Sequence, residues 1–380
     1  MAMDETGKEQ IMAMDETPKT NEETRASSRL SRRTFVKATG LAAGATAMTA
    51  ITGLPAGAAT RGRLPEVMRA GPPAGIGGKT GKKVIFTTHD NNSFFPEVQI
   101  GCQVMAGLRG WHFQFLGKTP QPPASEIIAI MEDAIAAGPQ AIGFTRIDDH
   151  SYDSTIERAL RKGIKVVLYN VASPGYEALG VGFVGQDFIP AGRTAGQQIA
   201  AYAQKITGRK SGIIECEEIA AGNSALTQRI EGTQQGIAAY NKANGTSYTT
   251  DILVASTDVP TATGLINAKW EAQGDKIVGW ACADFASYIV ADWAVEHHLT
   301  GKFAVGGFDL NTPVLYSIRA GTSQYTIGQN PYAQGFVTSA FLDMEMEAGY
   351  PGFTYDTGAE VVNASNIKAV IKREAKFATL

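Results

Sequence analysis

The sequence predicts an α/β protein of two similar Rossmann-like lobes, each a parallel sheet flanked by helices, joined by a multi-strand hinge. Three observations predict it. From Val84 onward, short apolar runs of β character alternate with amphipathic helical runs. The same rhythm restarts near Ala191. The chain, at 380 residues, is long enough for two ordinary domains after a leader is set aside.

Taken in order, Val84–Thr88 reads as a buried strand, Glu97–Leu108 as a helix and His112–Leu116 as the second strand. Ser125–Ala137 is a helix with Ile127, Met131, Ala134 and Ile135 on one face. Ala141–Phe144 is a strand, Ser154–Arg161 a helix and Lys165–Tyr169 a strand. This alternation implies a sheet covered on both faces. The second set runs helix Ala191–Ile206, strand Gly212–Cys216, helix Ala225–Asn241, strand Asp251–Ala255 and helix Thr261–Trp270. Strand Ile277–Ala281, helix Ser287–His297, strand Ala304–Phe308, helix Pro313–Ala320 and strand Tyr325–Gln329 follow. Helix Pro331–Ala348 opens on a proline, where the missing N–H leaves no bond unmade. The expected lobes are 84–186 with 330–358, and 187–329 with 359–380. The crossings fall near Gln186–Asp187, Gln329–Asn330 and Gly358–Asn363.

The first 58 residues read as a leader. Ser31-Arg32-Arg33-Thr34-Phe35-Val36-Lys37 has the form of a twin-arginine export signal. The run Ala38–Leu54 is too mild to span a bilayer, and Ala56-Gly57-Ala58 offers a small-x-small cleavage site. The hexapeptide MAMDET occurs twice before the motif, at 1–6 and 12–17. Residues 59–83 read as a Gly/Pro-rich linker. Gly78-Lys79-Thr80 imitates the end of a phosphate loop, but the first glycine of that pattern falls on Pro73 and no strand precedes it. The expectation is an exported protein, periplasmic or extracellular, cleaved near Ala58.

Charge narrows the partners. The whole chain carries a net charge of −3, and residues 1–58 hold seven basic and seven acidic residues, so the remaining 322 (380 − 58) keep it. That balance gives no argument for nucleic acid or an anionic membrane. Cys102, Cys216 and Cys282 sit in apolar contexts and are expected as buried thiols, not a disulfide. The five histidines, at 89, 112, 150, 297 and 298, form no i, i+4 pair, and there is no Cys-x-x-Cys or Gly-x-Ser-x-Gly. No cofactor or metal is therefore expected. Asp148-Asp149-His150 is the only catalytic-looking cluster, and a solvated loop explains it better. An exported enzyme, a sugar-sensing receptor component for chemotaxis or signalling, and the ligand-sensing half of a repressor are the competing classes; no helix-turn-helix segment supports the last.

In open α/β sheets ligands sit beyond the carboxyl ends of the strands. Those ends carry His89–Pro96, Asn170, Asn223 with Arg229, Asp284, Asp309-Leu310-Asn311 and Gln329-Asn330-Pro331-Tyr332. Amides, carboxylates and a guanidinium can each grip neighbouring hydroxyls, and an aromatic ring can cover an apolar C–H face. Asp284 is balanced between a helix cap and a ligand contact, and Trp280 reads as core.

Asn91-Asn92-Ser93-Phe94-Phe95, Arg229-Ile230-Glu231-Gly232, Gly307-Phe308-Asp309 and Tyr325-Thr326-Ile327-Gly328-Gln329 resemble the ribose-binding-protein type of bacterial solute-binding protein over about residues 82–364. The resemblance implies capture of a neutral monosaccharide or polyol by a monomeric protein serving the permease of an ATP-driven importer. It carries ligand contacts onto Asn92, Phe94, Phe95, Arg229, Asp309 and Gln329. Asn170 stands where the family often has Asp, Val171 where the ribose binder has Arg, Ala283 where it has Asn and Val259 where it has Phe. Those departures remove polar groups and point to a ligand with fewer or differently placed hydroxyls, without excluding ribose. Arg229 and Asp309 are expected to line a wet cleft in the ligand-free protein and to be replaceable without great harm to folding.

Overall fold

The computed structural model describes residues 78–377; the export motif, the cleavage site and most of the linker lie outside them. The first half runs β1 (Lys83–Thr87), α1 (Phe95–Arg109), β2 (His112–Leu116), α2 (Ala124–Ala136), β3 (Ala141–Arg146), α3 (Asp153–Arg161), β4 (Lys165–Ala172) and β5 (Gly182–Gly185). Then come α4 (Phe188–Thr207), β6 (Ser211–Glu218), α5 (Ser224–Asn244), β7 (Ser247–Val254), α6 (Val259–Gln273), β8 (Ile277–Cys282), α7 (Ser287–Glu296), β9 (Ala304–Phe308), α8 (Thr312–Ala320) and β10 (Tyr325–Gly328). The chain ends α9 (Pro331–Glu347), β11 (Thr354–Asp356), β12 (Glu360–Asn363) and α10 (Ile367–Glu374).

These strands form two six-stranded sheets, ordered β11-β5-β4-β3-β1-β2 and β12-β10-β9-β8-β6-β7. Every pairing in the first is parallel. In the second, only β12 against β10 is antiparallel. The central strands β1, β3, β8 and β9 are almost wholly buried, as a sheet with helices on both faces requires. The chain passes between sheets three times: after β5, after β10, and between β11 and β12.

Strand order reverses between β1 and β3 in one sheet and between β6 and β8 in the other. The loops leaving these strands diverge there and open a crevice. Tight helix pairing holds its walls. A Cβ on Gly196 of α4 would lie 2.1 Å from the Thr233 carbonyl oxygen of α5, and one on Gly335 of α9 would lie 1.9 Å from the Val98 carbonyl oxygen of α1. Only glycine permits these approaches, and they seat α5, which carries Arg229 to the crevice, and α9, whose Gln334 bonds to residues that line it.

Helices expected from Glu97 and Ala191 begin earlier, at Phe95 and Phe188. Pro96 and Pro190 fall in their first turns, where the missing N–H is tolerated, so neither is a breaker. β5, β11 and β12 were not foreseen: at three to four residues they carry no readable alternation. Trp280 is buried beside Trp293 in the core under β8, and all three cysteines are buried and unpaired.

Candidate functional site

The β1–α1 loop folds around its own side chains. The Asp90 carboxylate accepts from Asn91 N at 2.7 Å and from Asn92 Nδ2 at 3.0 Å. Asn92 Oδ1 in turn accepts from Phe94 N at 3.0 Å. His89 N donates to Thr145 Oγ1 at 2.8 Å, tying the loop to β3. Phe94 is half-buried at the crevice, whereas Phe95 turns into the core with Phe86 and Val98 and meets Phe94 edge to face. Near the carboxyl end of β4, Asn170 has φ 61°, a left-handed conformation that asparagine tolerates better than most residues.

From the second half, α5 presents Arg229, which is buried. Its Nη1 donates to the Ala283 carbonyl at 3.0 Å, and its Nε and Nη2 donate to Gln186 Oε1 at 3.2 and 3.0 Å. The guanidinium lies over the Phe308 and Phe188 rings, 4.3 and 5.2 Å from their centroids. Asp309, at φ 70°, accepts from Gln329 Nε2 at 2.6 Å through Oδ1. Asp284 accepts from Ala286 N at 2.7 Å through Oδ1 and from Ile219 N at 3.0 Å through Oδ2. Burial holds the Arg229 guanidinium below its ordinary range, opposed by Asp309 and Asp284. Burial raises both carboxyls in turn, opposed for Asp309 chiefly by Arg229 and for Asp284 chiefly by its backbone donors.

These side chains line one cavity of about 80 Å³, partly continuous with solvent, with room for several water-sized groups. Asn92, Phe94, Phe95, Asn170, Arg229, Asp284, Asp309 and Gln329 all line it. They do not contribute alike. Phe95 is 2% exposed and belongs to the core. Both Asp284 oxygens are committed to backbone N–H groups, so this carboxylate pins two loops together in the manner of a cap. In this arrangement, with the two halves in contact, Arg229 and Asp309 are 3% and 8% exposed and hydrogen-bonded into the fold, so neither lines a wet cleft here. Val259, expected at an aromatic position of the site, is 43% exposed on α6 and does not line the cavity; Thr257 and Phe285 do.

Several contributors were not anticipated as site residues: His89, Asp90, Gln121, Phe188, Thr257 and Phe285 line the cavity, and Gln186 and Gln334 hold lining residues from behind. His89 and Asp90 sit in the loop that was read, but adjacent Asn92 and Phe94 drew the argument. Gln186 occupies a crossing whose position was readable and whose side-chain role was not. Gln334 lies on α9 beyond the strand-end loops, and no local pattern marks it. Asp148-Asp149-His150 forms a turn in which Asp148 Oδ1 accepts from His150 N and Ser151 N. Among the described residues, no group of three or more His, Cys, Asp or Glu side chains could hold a metal ion.

The two halves touch on either side of the cavity. Ser173 Oγ lies 2.5 Å from Ser224 Oγ, Ser224 N donates to the Ile147 carbonyl at 3.1 Å, and Asn311 Nδ2 lies 3.4 Å from Ser93 Oγ.

Comparison with known proteins follows this geometry. The chain is 26% identical over 304 residues to a xylose/arabinose-binding protein of Sulfolobus acidocaldarius, covering 75% of this chain and 72% of that one. Its fold is that of a carbohydrate transporter from Acidothermus cellulolyticus 11B solved with myo-inositol, at TM-score 0.67, 22% identity and coverage of 78% of this chain and 99% of that one. It is equally that of an ABC transporter solute-binding protein from Burkholderia graminis solved with D-arabinose, at TM-score 0.68, 22% identity and coverage of 77% and 99%. The profile of the periplasmic binding protein domain matches residues 82–349, and the chain belongs to that family.

Proposed function

We propose that this protein captures a small neutral sugar or polyol between its two halves and delivers it to the membrane permease of an ATP-driven importer, acting outside the cytoplasmic membrane. One observation carries the reading. Arg229, fixed over two rings, and Asp309, with Oδ2 free of hydrogen bonds among the described residues, share one wall of a cavity that also holds Asn170 and Phe94. Paired donors and acceptors with an apolar ring suit vicinal hydroxyls and a C–H face. The sugar-binding relatives support the ligand class, and the Ser31–Lys37 motif supports export.

Closure completes the site: Asn170 and Phe94 come from one half, Arg229 and Asp309 from the other, so full desolvation of a ligand requires both. The contacts at Ser173–Ser224 and Ser93–Asn311 support a closed arrangement. The test is a thermal-shift and calorimetric screen against D-arabinose, L-arabinose, D-xylose, D-ribose and myo-inositol, with D-glucuronate and ribose 5-phosphate as charged solutes. A ligand at a hundredfold its Kd stabilises by about 2.7 kcal/mol, an easily read shift. A response confined to charged solutes would overturn the reading.

A further inference from the structure

Four side chains form one hydrogen-bonded chain from the first half to the second. Asn170 Nδ2 donates to Gln334 Oε1 at 3.0 Å. Gln334 Nε2 donates to the Gln329 backbone carbonyl at 3.1 Å and to Gln329 Oε1 at 3.2 Å. Gln329 Nε2 donates to Asp309 Oδ1 at 2.6 Å. Gln334 and Gln329 are buried, so unmatched donors or acceptors here would be costly.

The direction of this chain does not depend on how the amides are drawn. A backbone carbonyl can only accept, so the group Gln334 turns to Gln329 must be its NH2. Gln334 then shows Asn170 an oxygen, and Asn170 must answer with its own NH2. Asn170 Oδ1 is left over, used by no hydrogen bond among the described residues, on a side chain that lines the cavity.

We propose that Gln334 is a positioning residue that locks the Asn170 carbonyl oxygen toward the cavity, so that the site demands a hydrogen-bond donor from its ligand at this point. The proposal rests on the reading of the cavity as a sugar site for its ligand, but not for the amide orientation itself. Asn170 then offers an acceptor without a charge. A ligand hydroxyl satisfies it; a deoxy, O-methyl or carboxylate group there leaves the oxygen, once the ligand covers it, unpaired or repelled.

Neutron diffraction from deuterium-exchanged, ligand-free crystals tests the orientation directly. Deuterons on the Asn170 atom facing Gln334 are expected; deuterons on the atom facing the cavity would overturn the proposal. The energetic arm uses D-arabinose as probe with Asn170→Asp. A carboxylate there faces the Gln334 oxygen, acceptor against acceptor, so affinity at neutral pH should fall about 10- to 100-fold. Protonation restores a donor toward Gln334, so the variant should regain affinity in acid while wild type does not. That recovery should largely vanish in Asn170→Asp/Gln334→Met, since the methionine thioether is only a weak acceptor. A pH-independent loss in Asn170→Asp would overturn the proposal even if the variant is folded. If D-arabinose does not bind wild type, the choice of sugar fails while the neutron result still decides the orientation.

Discussion

The Gln186 side chain joins Arg229 to the crossings between the two sheets. Its Oε1 accepts two bonds from the guanidinium, at 3.0 and 3.2 Å, while its Nε2 donates to the Gly358 carbonyl at 2.9 Å and more weakly to that of Gly328 at 3.4 Å. Gln186, Gly328 and Gly358 lie one at each crossing, so a residue that lines the cavity is tied to all three.

Gln186→Ala should therefore act twice. It leaves buried Arg229 donors without partners, at a cost of about 1–3 kcal/mol in stability. It also frees the guanidinium to tilt, so affinity for the bound sugar should fall as well. Arg229→Ala should weaken binding tenfold to a hundredfold and, unlike a change in a wet cleft, destabilise the ligand-free protein by about 2–4 kcal/mol through lost bonds and lost packing on Phe308. Denaturant unfolding without ligand, paired with calorimetric titration, separates the two effects. Unchanged unfolding of both variants would show that the Gln186–Arg229 contact holds nothing together.

Neighbouring phenylalanines should divide the labour. Phe95 packs with Phe86, Val98 and Phe115, so Phe95→Ala should cost about 3–5 kcal/mol in stability. Phe94 is half-buried at the cavity, so Phe94→Ala should cost less than half of that and appear mainly as weaker ligand binding. Equal stability losses would place both rings in the core.

This contrast marks how far the sequence could be read. Both sheets were legible because β1, β3 and β8 are near-continuous apolar runs and the helices between them keep one apolar face. The strand-end loops were legible because the crevice must lie there. Which of two adjacent aromatics faces it was not, since the sequence put the helix start at Glu97 and left both rings ahead of any period that assigns faces. Asp284 was equally ambiguous: an acid after a strand can hold a ligand or backbone N–H groups, and only the fold brings Ile219 N to it. Gln334 was invisible because its partners, Asn170 and Gln329, meet it only after the chain has crossed between sheets.

Export can be checked without any ligand. Arg32→Lys with Arg33→Lys should retain the precursor in the cytoplasm, and wild type should lose about 58 residues, as the Ala56-Gly57-Ala58 site implies. Fractionation with amino-terminal sequencing of the exported form measures both. Normal export of the double variant would remove the twin-arginine assignment.

His89 should set part of the acid limit of the fold. Its ring is buried against the edge of Phe95, its Nδ1 has no partner, and burial pushes its pKa down from 6.5 to about 4. Between those values the unfolded chain takes a proton that the native state refuses, so stability rises with pH and falls on acidification. The gap corresponds to about 3 kcal/mol lost by pH 4. The raised carboxyls of Asp90 and Asp284 act in the opposite sense, their burden growing as pH climbs, and they are common to wild type and variant. His89→Gln should therefore isolate the imidazole. Urea unfolding at pH 7 and pH 4.5 should show wild type losing about 2 kcal/mol more than the variant over that interval. Parallel losses would mean that His89 takes up its proton inside the folded protein, with the β1–α1 loop opening to admit water.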